Sequence, residues 1–293
     1  MDEPRAYATA GAFRRALEER LKRISRAEQM DVNRLRRQVS FDRLLARLFQ
    51  VEPAPWALKG GYALELRFKT ARSTIDIDLS LQTVVAATGQ ADVSRAVREM
   101  LQSAASISLE DWFEYRIGSP VMDLEAAPYG GARYPVEARM DGRIFSRFHL
   151  DAGIGDAVMQ PMETIECRDW LDFAGIKSPR VQMIPREQQF AEKLHAYTLP
   201  RSSANSRVKD LVDMALLVES GGLVEERVQE AVLLTFQRRG THVFSSSLLP
   251  PPSDWGKKFE VLAEECELPK GMDIVFDGVR AFIETVLRPG LQK

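Results

Sequence analysis

The sequence predicts an α+β domain followed by a mainly helical one. Three observations carry this. Apolar residues at helical spacing open the chain, segments of its first half alternate apolar and polar as strands do, and beyond Pro161 the helical period returns with few strand signals. Composition agrees: 293 residues can bury one large or two modest cores, and 45% apolar with 28% charged residues is the balance of an ordinary folded protein. The change of character near residue 160 gives expected domains of 1–160 and 161–293.

From Gly11 to Gln50, Phe13, Leu17, Leu21 and Ile24, then Leu35, Val39, Leu44, Leu45 and Leu48, recur at helical spacing. The stretch VEPAPW breaks these helices, and ALKGGYALELRF follows as a glycine turn opening another helix. A strand then ends near Gln82, and a helix runs from about Asp92 to Ala105. WFEYRIG and RIFSRFHLDAG read as strands, the second with Ile144, Phe148 and Leu150 on one face and Arg147, His149 and Asp151 on the other. PREQQFAEKLHAYTL, SRVKDLVDMALLVES and LVEERVQEAVLLTFQRRG are helical by period. The loop SSSLLPPPSDW precedes closing helices at Lys257–Glu267 and Met272–Leu287.

Forty Lys and Arg against 42 Asp and Glu leave no global charge that announces a nucleic-acid or membrane partner. Locally, Arg14, Arg15, Arg20, Lys22, Arg23, Arg26, Arg34, Arg36, Arg37, Arg43 and Arg47 crowd the first fifty residues, as a solvated helical face or as a phosphate-binding surface. Cys167 and Cys266 make no disulfide framework, and together with His149, His195 and His242 they show no zinc-ligand spacing. With no signal sequence and no apolar run of membrane-spanning length, a cytoplasmic location without membrane attachment is expected.

The segment STIDIDLS, residues 73–80, places two acids inside an otherwise strand-like run. Residues two apart on a strand share a face, roughly 6.6 Å apart, so Asp76 and Asp78 project together while Ile75, Ile77 and Leu79 turn to the core. Side-by-side carboxylates repel unless a cation or proton joins them. Mg²⁺ suits such a pair, because one or two carboxylates hold it together with substrate phosphates. An edge strand with a wet face also carries such a pair by chance, so its surroundings matter. Gly60 and Gly61 open a helix whose N-terminus favours a phosphate, and Arg72, Ser73 and Thr74 stand between the two features.

Asp151 ends a strand on its polar face, where it either begins a turn or joins the carboxylates. Lys193 lies at the edge of the apolar stripe of Phe190, Leu194 and Tyr197, where a long side chain snorkels or reaches a cleft. Asp210 and Asp213 share one helix face near Arg207 and Lys209, as in a surface ion-pair helix or a helix turned to a site.

GGYALELRFKTARSTIDIDL resembles the first motif of the DNA polymerase β-like nucleotidyltransferases, and KGG followed by AL and by R-S-T before the aspartates resembles the AbiEii/AbiGii-like nucleotidyltransferase toxin family. Gly61 and Asp76 stand slightly farther apart than in many members of the superfamily. FAEKLHAYT, SRVKDLVDMALL, FQRRGTHVF and PPPSDW also look like family sequence, so the resemblance spans most of the chain.

The resemblance implies a nucleotidyltransferase-type mixed sheet flanked by helices, with the helical domain completing the active-site cleft. It implies catalytic roles for Asp76, Asp78, Lys193 and Asp213, and nucleotide contacts by Gly60, Gly61, Arg72, Ser73, Thr74, Lys193 and Asp210. Asp76, Asp78 and Asp151 would hold Mg²⁺ (or Mn²⁺), Lys193 would follow charge onto the leaving group, and Asp213 would organise Lys193 or the nucleoside while Asp210 pairs locally. The expected protein is the toxin of a toxin-antitoxin or phage-defence pair, moving a nucleoside monophosphate from a nucleoside triphosphate to an RNA acceptor, tRNA first, and answering to a cognate antitoxin. A small hydroxylated acceptor such as an aminoglycoside, or an idle partner-binding module, are the alternatives. Ser73, Thr74 and Ser80 flank the carboxylates, where an added phosphate would repel both acids and substrate.

Overall fold

A computed structural model of the chain describes residues 6–82, 89–124, 127–201, 205–244 and 248–287. The first three residues of the expected SSSLLPPPSDW loop, Ser245–Ser247, lie outside them. Two compact units emerge, interleaved along the chain: Met1–Leu58, Thr74–Gly155 and Thr164–Met183 form the first, and Lys59–Ser73, Asp156–Glu163 and Ile184–Lys293 the second.

In the first unit the basic N-terminal segment forms α1 (Ala10–Glu28) and α2 (Val32–Leu48), and α4 (Gln90–Ala105) follows the carboxylate strand. Thr9 and Asp31 cap α1 and α2, their side chains accepting from the Ala12 and Arg34 backbone N–H groups. The strands are β1 (Trp56–Lys59), β2 (Asp76–Leu81), β3 (Glu114–Ile117), β4 (Met122–Asp123), β5 (Gly131–Met140), β6 (Arg143–Ile154), β7 (Glu163–Glu166) and β8 (Arg180–Met183). They make a mixed sheet in the order β3-β5-β6-β2-β1-β8-β7, with β4 on β5, in which β2 runs parallel to β6 and β5 antiparallel to it.

The faces of this sheet divide by residue parity, as the pleat requires. Tyr134, Phe148, Leu150, Ile77 and Leu79 are buried under the helices. Phe41 of α2 meets Phe148 edge-on at 4.7 Å between ring centres, and the Tyr134 hydroxyl donates to the Ser94 carbonyl of α4. Arg133, Asp151, His149, Asp76 and Asp78 therefore stand on the other face. Ile75 departs from its expected place in the core: β2 begins one residue later, and Ile75 is exposed at a bend.

Two arginines of the basic segment turn inward. Arg43 and Arg47 converge on the fully buried Asp111, with Arg47 donating to both carboxylate oxygens at 2.9 and 2.6 Å and to the Phe113 carbonyl. They serve the packing of α2 and offer nothing to a phosphate.

The second unit is helical: α3 (Gly60–Arg67), α5 (Arg186–Thr198), α6 (Val208–Glu219), α7 (Glu225–Arg239), α8 (Gly256–Glu265) and α9 (Met272–Val286). The predicted stripe of Phe190, Leu194 and Tyr197 packs with Leu211, Leu217, Phe259 and Ile283 in one core. No described helix is long and apolar enough to cross a membrane.

Candidate active site

The carboxylates come together by sheet register. Asp76 pairs with His149 and Asp78 with Asp151 across β2 and β6, and Arg133 of β5 stands opposite Asp151 on its other side. The Arg133 guanidinium grips Asp151 in a two-pronged bond, Nε to Oδ1 at 2.8 Å and Nη2 to Oδ2 at 2.7 Å, and the same Nη2 lies 3.4 Å from Asp76 Oδ2. Its hydrogen bonds to Asp151 push Arg133 above the ordinary arginine range, with Asp151, Asp76 and Asp78 adding their charges. The other Asp76 oxygen, Oδ1, is buried and accepts no hydrogen bond from the described residues; His149 Nδ1 lies 3.4 Å from it.

An orphaned carboxylate oxygen beside a second acid is what a hard cation would satisfy, so Asp76 and Asp78 fit Mg²⁺ or Mn²⁺. Asp151, expected as a third ligand, stands beside Asp78 but is bonded to Arg133. Its two oxygens are engaged by Arg133, and among the described residues no group of three or more His, Cys, Asp or Glu is placed to hold a metal ion. Thr74 is half-buried just ahead of β2. Ser80 is fully buried, which removes it from the hydroxyls a kinase could reach.

In the second unit a different cluster forms. Lys193 Nζ sits 2.9 Å from Asp210 Oδ1 and 2.7 Å from Asp213 Oδ2, and Arg72 donates to both Asp213 oxygens at 2.8 and 2.7 Å. Burial works against the Lys193 charge, but Asp210 and Asp213 outweigh it and lift the ammonium above the usual lysine range. Burial likewise favours a neutral Asp213, yet Lys193 and Arg72 hold it below the usual carboxylate range. Lys193 is thus a charged ammonium paired with two acids. Asp210 reaches beyond its local partner Arg207 to Lys193, and Arg72, expected at the nucleotide, donates to Asp213.

The glycine turn belongs to this unit. Gly60 has φ +69, a backbone region that suits glycine, and its carbonyl accepts from Gln189 Nε2 at 2.6 Å. Lys59, immediately before it, pairs with Asp156 at 2.5 Å and Glu192 at 3.4 Å, and Arg239 closes the square at 3.0 and 3.3 Å. Burial opposes the Asp156 charge, but Lys59 and then Arg239 overcome it and bring the acid down to about 2. Next to Arg239 lies His195, which burial first, then Arg239 and His242, push down to about 3. Gly61 continues into α3, and Ser73 donates its backbone N–H to Glu265.

Sequence reasoning missed Arg133 and the Lys59–Asp156–Glu192–Arg239 square. The alternation in GARYPVEARM would have exposed β5, and with it Arg133. A cavity of about 1040 Å³ lies elsewhere in the first unit, lined by Tyr7, Trp112 and Asp141. Asp141 follows the end of β5 eight residues from Arg133, roughly 26 Å of strand, so the carboxylates take no part in it.

Residues 43–273 match the family described as nucleotidyl transferase AbiEii toxin, type IV toxin-antitoxin system. The chain belongs to the AbiEii nucleotidyltransferase toxin family. AbiEii membership makes it a nucleotidyltransferase and implies a nucleoside triphosphate substrate and a cognate antitoxin. The fold agrees: the nucleotidyltransferase toxin MenT4 from Mycobacterium tuberculosis is similar at TM-score 0.56 and 18% identity, over 96% of this chain and 90% of that one. JHP933 from Helicobacter pylori is similar at TM-score 0.47 and 14% identity, over 86% of this chain and 91% of that one. No curated protein matches the chain.

Proposed function

We propose that this AbiEii-family enzyme moves a nucleoside monophosphate from a nucleoside triphosphate to tRNA in the cytoplasm, using Mg²⁺ or Mn²⁺ held by Asp76 and Asp78. The observation that carries the reading is the same-face pair on β2 with Asp76 Oδ1 buried and lacking a hydrogen-bond donor. Bound there, the divalent ion would neutralise the triphosphate and steady the attacking and leaving oxygens. The chain's own part is positioning and fixed charge. Lys193, paired with Asp210 and Asp213, presents a positioned ammonium, and Arg72 bonds Asp213 on its other side. The glycine turn, with Gly60 at φ +69, opens α3, whose N-terminus favours a phosphate.

Of the basic N-terminal residues, Arg36 is bonded to Glu18, whereas Arg15, Arg23 and Arg26 of α1 remain exposed and suit an RNA backbone. Incubation with each labelled nucleoside triphosphate and total RNA, with and without Mg²⁺, tests the reading. Label should enter an RNA of tRNA size only with the metal; label in a small molecule, or none in either, overturns the acceptor or the activity respectively.

A further inference from the structure

Asp151 is the acid that the family resemblance offers as a third metal ligand, and the structure gives it a different partner. Across three strands the register sets Asp78, Asp151 and Arg133 in a row, with Asp76 one step along β2. Arg133 is the cation already in that row. A guanidinium stays charged at any physiological pH and its planar fork matches a carboxylate, so a two-pronged bond at 2.8 and 2.7 Å to an acid that is only 9% exposed is not given up lightly. Its hold on Asp76 is of another kind: one Nη2 at 3.4 Å from Oδ2, with Oδ1 left unsatisfied.

We propose that Arg133 is a resident counter-ion that reserves Asp151 from the metal and competes with the divalent cation for Asp76. The strong grip keeps Asp151 out of the ligand set, and the weak one yields when a metal arrives at Asp76 and Asp78. Arg133 therefore sets how tightly the pair binds its cation. It acts through the carboxylates and is a positioning residue. This rests on the metal assignment proposed above.

Equilibrium Mn²⁺ binding, followed by the electron paramagnetic resonance of the free ion, separates the possibilities without any turnover. Removing a cation beside a carboxylate changes its preference for positive charge by one or more powers of ten, so Arg133→Gln should bind Mn²⁺ about tenfold tighter than the unaltered protein. Arg133→Lys keeps the charge but loses the fork and should fall between them. In Arg133→Gln with Asp151→Asn, affinity should return toward that of the unaltered protein, because the carboxylate released by the first change is the one removed by the second. Circular dichroism of each variant confirms its fold, and Arg133→Lys carries the test if Arg133→Gln does not fold. If Asp76→Asn abolishes Mn²⁺ binding while neither Arg133 variant tightens it, the competition is refuted and the metal site stands. If Asp76→Asn leaves binding unchanged, the metal assignment falls and this inference falls with it.

Discussion

Two acid-rich clusters carry the chemistry-bearing residues, and they solve the problem of buried negative charge in opposite ways. On the sheet, Asp76 keeps an oxygen that is buried and accepts no hydrogen bond, and its one arginine neighbour is mainly occupied with Asp151. On the helices, each oxygen of Asp213 accepts from Arg72, Lys193 adds a second contact to one of them, and Asp210 divides its oxygens between Lys193 and Arg207. The first arrangement leaves a buried carboxylate oxygen without a hydrogen bond from the described residues. The second is matched within the protein, the acids Asp210 and Asp213 against Arg72, Lys193 and the more exposed Arg207, so its charges stabilise each other. The proposed metal site is the cluster with the unsatisfied oxygen, and the helical cluster is the one whose acids are matched within the protein.

Breaking each cluster should therefore register in different measurements. Asp76→Asn should lower nucleotide transfer on the order of 10³-fold, about 4 kcal/mol in the barrier, with an unfolding midpoint equal to or above that of the unaltered protein. A variant that unfolds more readily would place Asp76 with the structural acids instead. Asp213→Ala should cost about 3 kcal/mol in urea denaturation, because Arg72 and Lys193 are left buried without their counter-charge. Full stability in that variant would show the helical cluster to be less self-contained than its geometry implies.

Acid sharpens the contrast. His195 is neutral in the folded protein, with a pKa near 3 against an unfolded value near 6.5, so the unfolded chain takes up its proton first. Its stabilising contribution is complete above pH 6.5 and is lost as pH falls toward about 3, roughly 2 kcal/mol of it by pH 5. Asp156 adds a second loss between its unfolded value near 3.8 and about 2. Denaturation across this range should flatten between pH 6.5 and 5 in His195→Gln, and an unaltered slope would exclude His195 as the cause. The smallest effect is expected at the protein's edge. Neutralising Arg23 and Arg26 should weaken RNA binding severalfold and lower its salt dependence by about one unit per lost phosphate contact, leaving the triphosphate KM unmoved.

Most of the architecture was legible where a period had room to show. The helices α1, α2 and α5 to α9 and the long strand β6 lie close to their expected places, and the shared face of Asp76 and Asp78 followed from strand geometry alone. The strands β1, β7 and β8 have four residues each and lie in no extended alternating run, whereas Phe113 to Ile117 alternate around the equally short β3. β5 hid for another reason: Pro135 interrupts a run that is otherwise alternately buried, and proline ordinarily speaks against a strand interior. Losing β5 meant losing Arg133. The charged square around Lys59 was illegible in principle, since its members stand at 59, 156, 192 and 239 and only the folded chain brings them together. The same holds for Arg72 and Asp213, 141 residues apart: Arg72 was expected at the nucleotide and Asp213 at Lys193 or the nucleoside, and only the fold shows that they also bond to each other.

The interleaving of the two units has a practical corollary. The polypeptide passes from one to the other at residues 58/59, 73/74, 155/156, 163/164 and 183/184. A single cut anywhere between α3 and β8 leaves both fragments holding portions of both units, so neither piece inherits a whole core. Splitting the gene there should give polypeptides that gain structure only when produced together, and a protease nick in that span should be tolerated far better than the removal of either fragment.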